Sequence, residues 1–403
     1  MNKTIFFSVG EPSGDQHAAR LVRSLMRQCP GLTLRGFGGE KMREAGCEID
    51  LDLTEHAVVG ILEVLPKLRQ FFRFADQAEA VFASGQVDAV VLVDFPGFNW
   101  HIAKRAKKYG IPVIYFCPPQ LWAWGAWRVK KMKASVDHVL AVLPIEEQFF
   151  GGHGIPTSFV GHPFFDAVAE SELDAAGMGK LQSTAPPERT VAVLPGSRTH
   201  EVHGNWPIML DAIRDLSAAH PGVRFAVAAY RDKHLQFCRD SLQCSDTNLP
   251  IDFYLGATSE IIDHAACAMM VSGSVSLELM ARQTPAAVVY RVGRFLYAVG
   301  KCVVKVDSMT LPNLMPTTSA EESVGERVFP EIVSVGDPTA AKVFLVDSIG
   351  RMLREPAYLD QKRRQLSQLS DQYARPGATD RAANRISELL SLENGPNFGK
   401  NAA

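Results

Sequence analysis

The chain lacks the features that mark a secreted, membrane-spanning or nucleic-acid-binding protein. Its seven cysteines are odd in number and include no Cys-x-x-Cys pair, which favours reduced thiols over a disulfide framework. No apolar run reaches the roughly 18 residues that a bilayer-spanning helix needs. The apolar run at residues 5–9 is too short for a signal peptide. The net charge of −2 provides no global attraction for nucleic acid. We therefore expect a cytoplasmic protein that touches a membrane at most peripherally.

Familiar ligand motifs are missing as well. The turn "GEPSGD" at residues 10–15 is neither a Walker A sequence nor the dinucleotide-binding pattern GxGxxG. The segment "HEVH" at residues 200–203 separates its histidines by three positions, whereas the zinc motif HExxH separates them by four. We therefore expect no metal and no cofactor.

The chain does contain a regular alternation of short apolar runs and longer helical patterns. The runs are continuously apolar, which is typical of parallel strands covered on both faces. This alternation predicts a doubly wound α/β fold. The predicted strands are Thr4–Val9, Leu34–Gly38, Ala89–Val93, Val113–Phe116, Val139–Val142, Ser158–Val160, Thr190–Leu194, Arg224–Ala229, Ile251–Tyr254, Ala268–Ser272 and Ala286–Tyr290.

The alternation stops over residues 169–189, which are polar and contain several Ala, Gly and Pro residues. This interruption predicts two Rossmann-like domains with a cleft between them. We expect an N-terminal domain over residues 1–168, a linker over 169–189 and a second domain over 190–350. Helices should follow over 351–390, where packing back on the N-terminal domain is one option, and residues 391–403 should form a flexible tail.

Ligands of open α/β sheets bind beyond the carboxyl ends of the strands, so the loops that follow strands should carry the chemistry. In the first such loop, Gly10 and Gly14 permit a close backbone approach, and Ser13 and Asp15 can cap the next helix. The loop either binds a small anionic or hydroxylated ligand or is only a capped turn. In a later loop, "VDFPGFN", Asp94 ends a buried strand and is either a general base or a helix cap.

The second half of the chain offers two further loops. In "VLPGSRTHEV", residues 193–202, Gly196 and Ser197 open a turn and Arg198 stands where a strand gives way to a helix. A guanidinium beside free helix N–H groups suits a phosphate or a diphosphate.

In "SGSVSLELM", residues 272–280, a strand leads into a helix that carries Ser274 and Ser276 in its first turn and Glu278 next. This arrangement suits a diphosphate and the two hydroxyls of a ribose. The alternative is a well-capped helix with an ordinary surface glutamate.

Two aromatic segments lie near basic residues. Residues 118–133 contain three tryptophans followed by arginine and lysines, and residues 65–74 contain three phenylalanines. Such segments belong either to the core or to a surface that contacts lipid.

Eight fragments of the chain, taken in order, resemble the lipid-A-disaccharide synthase family. Each fragment alone is weakly diagnostic, but their shared order is specific. Seven lie between residues 10 and 315, and the last covers residues 377–383. The fragments are "GEPSGD", "VDFPGFN", "PPQLWAW", "VGHPFFD", "LPGSR", "SGSVSLELM", "TLPNLM" and "GATDRAA".

The resemblance implies an inverting glycosyltransferase of the two-domain GT-B architecture. It would condense UDP-2,3-diacylglucosamine with 2,3-diacylglucosamine 1-phosphate, forming the β-1′,6 disaccharide of lipid A and UDP. The family works without a metal and binds the inner face of the cytoplasmic membrane peripherally. A homodimer is an open alternative to a monomer. Two other functions stay open: a UDP-sugar epimerase of GT-B fold, and a non-catalytic protein that binds nucleotide sugars.

The resemblance also implies roles for single residues. Asp94 would deprotonate the acceptor 6-hydroxyl, and Arg198 would hold the donor diphosphate. No donor contact is assigned to residues 328–333, which lack the glutamine expected at the end of that motif. The remaining donor-binding residues would be Gly196, Ser197, Ser274, Ser276, Glu278 and Asn313. The acceptor-binding residues would be Glu11, Ser13, Gly14, Asp15 and Asn99.

Overall fold

The computed structural model describes residues 3–56, 68–294, 297, 298, 300, 306–315 and 327–390. The chain divides into two compact units. Unit 1 comprises Met1–Asp166 and Pro376–Ala403, and unit 2 comprises Ala167–Arg375. The tail predicted over residues 391–403 and the start of the aromatic segment at 65–67 lie outside the described residues.

Unit 1 is built on a parallel sheet of seven described strands in the order β3-β2-β1-β4-β5-β6-β7. The central strands are fully buried because helices cover both faces, as their continuous apolar runs predict. The strands are β1 (Thr4–Val9), β2 (Thr33–Gly38), β3 (Glu48–Asp52), β4 (Ala89–Val93), β5 (Val113–Phe116), β6 (His138–Ala141) and β7 (Thr157–Phe159).

Unit 2 repeats this design with six described strands, all parallel, in the order β10-β9-β8-β11-β12-β13. Its core packs the sheet against helices on both faces, with Trp206 among the largest fully buried side chains. The strands are β8 (Thr190–Leu194), β9 (Arg224–Ala229), β10 (Ile251–Leu255), β11 (Cys267–Val271), β12 (Ala286–Val292) and β13 (Glu331–Val335).

Helices connect the strands throughout the described part of the chain. The α-helices are α1 (Pro12–Gln28), α2 (Glu40–Glu44), α3 (Leu68–Ala83), α4 (Pro96–Lys108), α5 (Leu121–Trp124), α6 (Val129–Ser135), α7 (Pro144–Gly152), α8 (Pro163–Glu170), α9 (Ala175–Thr184), α10 (Thr199–Ala219), α11 (Asp232–Asp240), α12 (Thr258–His264), α13 (Val275–Ala281), α14 (Thr339–Arg354), α15 (Pro356–Tyr373) and α16 (Ala378–Leu389). Short 3-10 helices span Thr54–His56, Ala126–Arg128, Pro187–Arg189, Cys244–Asp246 and Pro312–Leu314.

The region predicted to be a linker, residues 169–189, is instead largely helical and belongs to unit 2. The side chain of Asp174 caps α9 by accepting the N–H of Gly177 at 2.8 Å, and Leu181 is buried. Glu260 of α12 accepts the N–H of Asp174 at 2.8 Å, so α9 is fixed against unit 2. The buried Leu181 and these two hydrogen bonds make the segment an ordered part of unit 2 rather than a linker.

The C-terminal helices do not form the single segment 351–390 that the sequence predicts. Helices α14 and α15 belong to unit 2, whereas α16 belongs to unit 1 and packs against α1. Asp380 of α16 bonds to Ser24 and Arg27 of α1. Residues 374–377 between α15 and α16 are not helical, and the change of unit falls there, between Arg375 and Pro376.

One buried carboxylate fixes the start of α16. Asp166 accepts the N–H groups of Gly377, Ala378 and Thr379 at 2.7, 3.0 and 2.8 Å, and the Thr379 hydroxyl at 2.7 Å. These bonds satisfy N–H groups that the first turn of a helix leaves free. The fragments "VGHPFFD" and "GATDRAA", more than 200 residues apart, are therefore two sides of one structural contact.

We expect Asp166→Ala to destabilise unit 1, because it leaves three N–H groups without their acceptor. The cost should be about 2–4 kcal/mol, and should appear as a lower midpoint in thermal or denaturant unfolding. Asp360→Ala is the matched control, since Asp360 is exposed and lies 3.9 Å from its ion-pair partner. Equal midpoints for both variants would contradict this account of α16.

Candidate active site

The candidate base lies at the end of β4 in a strained backbone conformation. Asp94 and Phe95 have φ angles of 46° and 45°, in the left-handed region that non-glycine residues rarely adopt. Such conformations persist only where surrounding contacts enforce them, and they concentrate at functional sites. Cys117, which follows the neighbouring strand β5, has a φ of 50°. Strained residues therefore follow two adjacent strands at the same edge of the sheet.

The loops after β1 and β4 are packed directly together, because the two strands are parallel neighbours with Val9 opposite Val93. A Cβ on Gly10 would lie 2.1 Å from the ring of Phe95, so only glycine fits there. A Cβ on Gly14 would lie 3.8 Å from the Cβ of Asp94. That is an ordinary contact distance, so the first turn of α1 lies beside the candidate base. The exposed Ser13 belongs to this turn.

The helix caps differ from those the sequence predicts. Glu11, not Ser13, is the N-cap residue of α1, and its side chain makes no capping bond. Pro12 occupies the first helical position, where its missing N–H costs nothing. Ser13 therefore lies inside the first turn of the helix.

Asp15 has a structural role that the sequence reading did not assign. Its buried carboxylate accepts the N–H groups of Gly39, Lys41 and Met42 at 2.8, 2.9 and 3.2 Å, and so caps α2. With 4% of its surface exposed and its oxygens engaged, Asp15 is not available to an acceptor sugar.

Asn99, also predicted to bind the acceptor, is fully buried and points into the protein. Its Nδ2 donates to the carbonyl oxygens of Asp94, Val93 and Ser8 at 2.7, 3.3 and 3.2 Å. Its Oδ1 accepts the hydroxyl of Ser8 at 2.6 Å. Asn99 therefore holds the end of β4 in place rather than contacting a ligand.

Burial raises the pKa of Asp94 above its usual value of 3.8, and a hydrogen bond with the Phe95 backbone opposes part of that effect. A raised pKa brings a carboxylate closer to the proton affinity that a general base needs. Nearby, burial lowers the pKa of His17 to about 4 and that of His162 to about 3, so both rings are neutral at pH 7.

In unit 2, the side chain of Glu201 occupies the N-terminus of α10, where the sequence predicts a phosphate site. Glu201 Oε2 accepts the N–H groups of Ser197 and Arg198, each at 3.1 Å, and its Oε1 accepts Nη1 of Arg198 at 3.0 Å. Gly196, with a φ of 126°, makes room for it, because a Cβ there would lie 2.6 Å from the Cβ of Glu201. The Arg198 guanidinium is 58% exposed, so it can still face a ligand.

The loop after β11 lies beside the Arg198 loop, since β8 and β11 are parallel neighbours. Ser274 is exposed, whereas Ser276 is fully buried and donates its hydroxyl to the Gly273 carbonyl at 2.7 Å. Glu278 is mostly buried and accepts Nε of Arg282 at 3.1 Å. Ser274 is therefore placed to contact a ligand, Ser276 shapes the turn, and Glu278 is held by Arg282.

Asn313 is paired with backbone rather than open to a ligand. Its Nδ2 donates to the Phe329 carbonyl at 2.8 Å, and its Oδ1 accepts the Phe329 N–H at 2.9 Å. Glu331 accepts the N–H groups of Met309 and Thr310 at 2.9 and 3.2 Å. Both side chains fix the segment 308–315, whose Met309 carbonyl accepts the hydroxyl of Ser272 at 2.7 Å.

Sequence reasoning missed two groups beside these loops, Tyr115 and Glu201. Tyr115 donates its hydroxyl to the Asp94 carbonyl at 2.7 Å. Nothing in its apolar strand signals this contact, because it depends on the register between β4 and β5. The contact of Glu201 could have been predicted, because a glutamate three residues after a helix N-cap is typical of a capping box.

The aromatic segments divide between core and surface. Phe74 and Trp122 are buried, and Phe71 packs against the core, so these three do not contact lipid. The exposed aromatic residues adjoin basic ones: the Arg128 guanidinium lies 4.9 Å from the ring of Trp124 and 5.4 Å from that of Trp127. We call the following set the aromatic–basic patch: Phe72, His101, Trp124, Trp127, Arg128 and Lys131.

Two further observations bear on ligands and membranes. Among the described residues, no group of three or more His, Cys, Asp or Glu side chains is arranged to hold a metal ion. None of the helices in the described ranges is both long enough and apolar enough to cross a bilayer.

Comparisons with known proteins place the chain in a family. The family model described as lipid-A-disaccharide synthetase matches residues 5–334. The lipid-A-disaccharide synthase of Geobacter sulfurreducens is 33% identical over 394 residues, covering 96% of this chain and 98% of that protein. An S. aureus MnaA–UDP structure has a TM-score of 0.64 at 14% identity, covering 99% of this chain and 100% of that one. A Neisseria meningitidis UDP-GlcNAc 2-epimerase bound to UDP-GlcNAc has a TM-score of 0.60 at 13% identity, covering 95% and 98%.

The two parallel-sheet α/β units and these structural neighbours define a GT-B fold, as the sequence predicts. At 13–14% identity these two structures show the fold alone. The chain belongs to the lipid-A-disaccharide synthase family. It is therefore a glycosyltransferase of lipid A biosynthesis, which decides against the epimerase and the non-catalytic alternatives.

Proposed function

We propose that this enzyme condenses UDP-2,3-diacylglucosamine with 2,3-diacylglucosamine 1-phosphate, with inversion at the anomeric carbon, to give the β-1′,6 disaccharide and UDP. Unit 1 would bind the acceptor and unit 2 the donor. The position of Asp94 carries the proposal: it is a carboxylate with a raised pKa, held in a strained conformation at the carboxyl edge of a parallel sheet.

In the proposed reaction, the Asp94 carboxylate takes the proton of the acceptor 6-hydroxyl. The freed oxygen attacks the anomeric carbon of the donor as the bond to the diphosphate breaks. The transition state has oxocarbenium character, as in other glycosyl chemistry. Glu11, Ser13 and Gly14 are the acceptor-side residues that we retain. Asp15 and Asn99 are left out because their side chains are engaged within the protein.

On the donor side, Arg198 would neutralise the charge that grows on the departing UDP. Its side chain is exposed, as are Ser197 in the same loop and Ser274 in the adjacent loop. Glu201 keeps this loop folded but adds a negative charge next to the diphosphate. Gly196 and Ser276 would shape the two turns, and Glu278 would bind the ribose. Asn313 would act indirectly, by fixing the segment 308–315.

We further propose that the enzyme works in the cytoplasm, bound peripherally to the inner face of the membrane through the aromatic–basic patch. Phe72 contacts the ring of His101, with ring centroids 5.1 Å apart. Burial, and then the charges of Lys131, Arg105 and Lys104, lower the pKa of His101, so basic side chains lie near these aromatic rings. Aromatic rings beside lysine and arginine suit the headgroup region of an anionic bilayer. A homodimer remains an alternative that no contact described here requires.

Purified enzyme should convert the two lipid substrates into the disaccharide, identified by mass spectrometry, and should release UDP only when the acceptor is present. Asp94→Asn keeps the shape of the side chain but removes the base, so kcat should fall by about 100-fold or more. In wild-type enzyme, kcat/KM should fall as the pH drops through the raised pKa of Asp94, above its usual 3.8. Near-normal turnover by Asp94→Asn would exclude Asp94 as the base.

Calorimetric titration with UDP should separate the effects of Arg198 and Glu201. Arg198→Ala should weaken binding by about 10- to 100-fold, because it removes hydrogen bonds to a charged group. Glu201→Gln should tighten binding several-fold, because the amide can still accept the two backbone N–H bonds while the negative charge is lost. Glu355→Gln, which removes a distant exposed charge, should leave the affinity unchanged. Weaker binding by Glu201→Gln would contradict the proposal that the charge of Glu201 opposes the diphosphate.

Vesicle flotation should test the aromatic–basic patch. Trp127→Glu should reduce binding to vesicles that contain phosphatidylglycerol, because Trp127 is 64% exposed and the new charge opposes the lipid. Tyr230→Glu is the matched control, since Tyr230 is 60% exposed, in unit 2, beside Arg231. If both variants float equally well, the patch is not the membrane contact.

A further inference from the structure

The backbone carbonyl of Asp94 is held by two side-chain donors. It accepts Nδ2 of Asn99 at 2.7 Å and the hydroxyl of Tyr115 at 2.7 Å. Both donors are fully buried, so neither can turn to water for an alternative partner. This doubly held carbonyl belongs to the first of the two residues with positive φ.

The fold leaves the Tyr115 side chain little freedom. Tyr115 pairs with Leu92 in the register of β4 and β5, two residues before Asp94. Its ring lies 6.1 Å from the ring of Trp100, in the layer between the sheet and α4. Burial raises the pKa of Tyr115 well above its usual value, so the hydroxyl stays protonated and acts as a donor. A rigid donor of this kind can hold a carbonyl in one orientation.

We propose that Tyr115 is a positioning residue: its hydroxyl, with Asn99, holds the Asp94 backbone in the left-handed conformation that presents the carboxylate to the acceptor. The inference rests on the proposed role of Asp94 as the base. The competing explanation is that a core tyrosine merely satisfies its hydroxyl. The two differ in their consequence, because only a positioning residue changes turnover through Asp94.

The test is Tyr115→Phe, which removes a single oxygen atom. We expect kcat to fall about 10-fold with KM nearly unchanged, since the displaced base costs rate rather than binding. In an Asp94→Asn background the same change should cause no further loss, because the group it positions is already absent. Tyr254→Phe is the matched control: Tyr254 is 6% exposed and lies in unit 2, whereas Asp94 lies in unit 1.

An unchanged kcat, or an equal loss in the Asp94→Asn background, would overturn the proposal. A crystal structure of Tyr115→Phe supplies a readout that does not depend on activity: φ of Asp94 should leave the positive range or the carbonyl should move. If Asp94→Asn alone keeps normal turnover, Asp94 is not the base. The crystal structure of Tyr115→Phe then still shows whether Tyr115 holds the Asp94 backbone. If Tyr115→Phe melts far below wild type, a second variant, Asn99→Ser, replaces it in the test. It removes the other donor and must lower kcat to the same extent without changing KM.

Discussion

Parallel pairing of neighbouring strands is the constraint on which both units depend. It brings the carboxyl ends of β1, β4 and β5 to one edge of the first sheet, and those of β8 and β11 to one edge of the second. Residues that are 80 or more positions apart along the chain, such as Gly14 and Asp94, therefore approach within contact distance. The pairing of the strands is therefore sufficient to bring these loops together.

Buried carboxylates then stabilise the loops that this arrangement creates. Asp15, Asp166, Glu201 and Glu331 each accept backbone N–H groups, two or three in every case. A carboxylate that accepts such bonds satisfies donors that loops and helix starts leave free, and these bonds are stronger than neutral ones. These four acidic residues are thus part of the scaffold. Asp94 differs from these four because its backbone carbonyl, rather than its carboxylate, receives the bonds that hold it.

Much of the fold could be predicted because buried parallel strands have continuous apolar sequences. The two strands that were missed, β3 and β13, are both edge strands. Their sequences, "EIDLD" and "EIVSV", are partly exposed and carry polar residues, so the apolar run that signals a central strand is absent or short. The helix α9 was missed because its Ala and Gly residues suggest a connection, whereas Asp174 and Glu260 supply the bonds that fix it.

The sequence predicts the positions of the strand-end loops but not the directions of single side chains. Residue type and position identify "VDFPGFN" and "LPGSR" as strand-end loops, yet they do not show which way a side chain points. Asp94 precedes α4 and Asn99, five residues later, lies in its first turn; Asn99 faces the core, whereas Asp94 is partly exposed. That difference follows from backbone conformation: the positive φ angles at Asp94 and Phe95 reverse the chain direction, which places Asn99 beneath the strand end. One donor to the Asp94 carbonyl, Tyr115, comes from a different strand, so this part of the arrangement depends on the folded sheet and not on the local sequence alone.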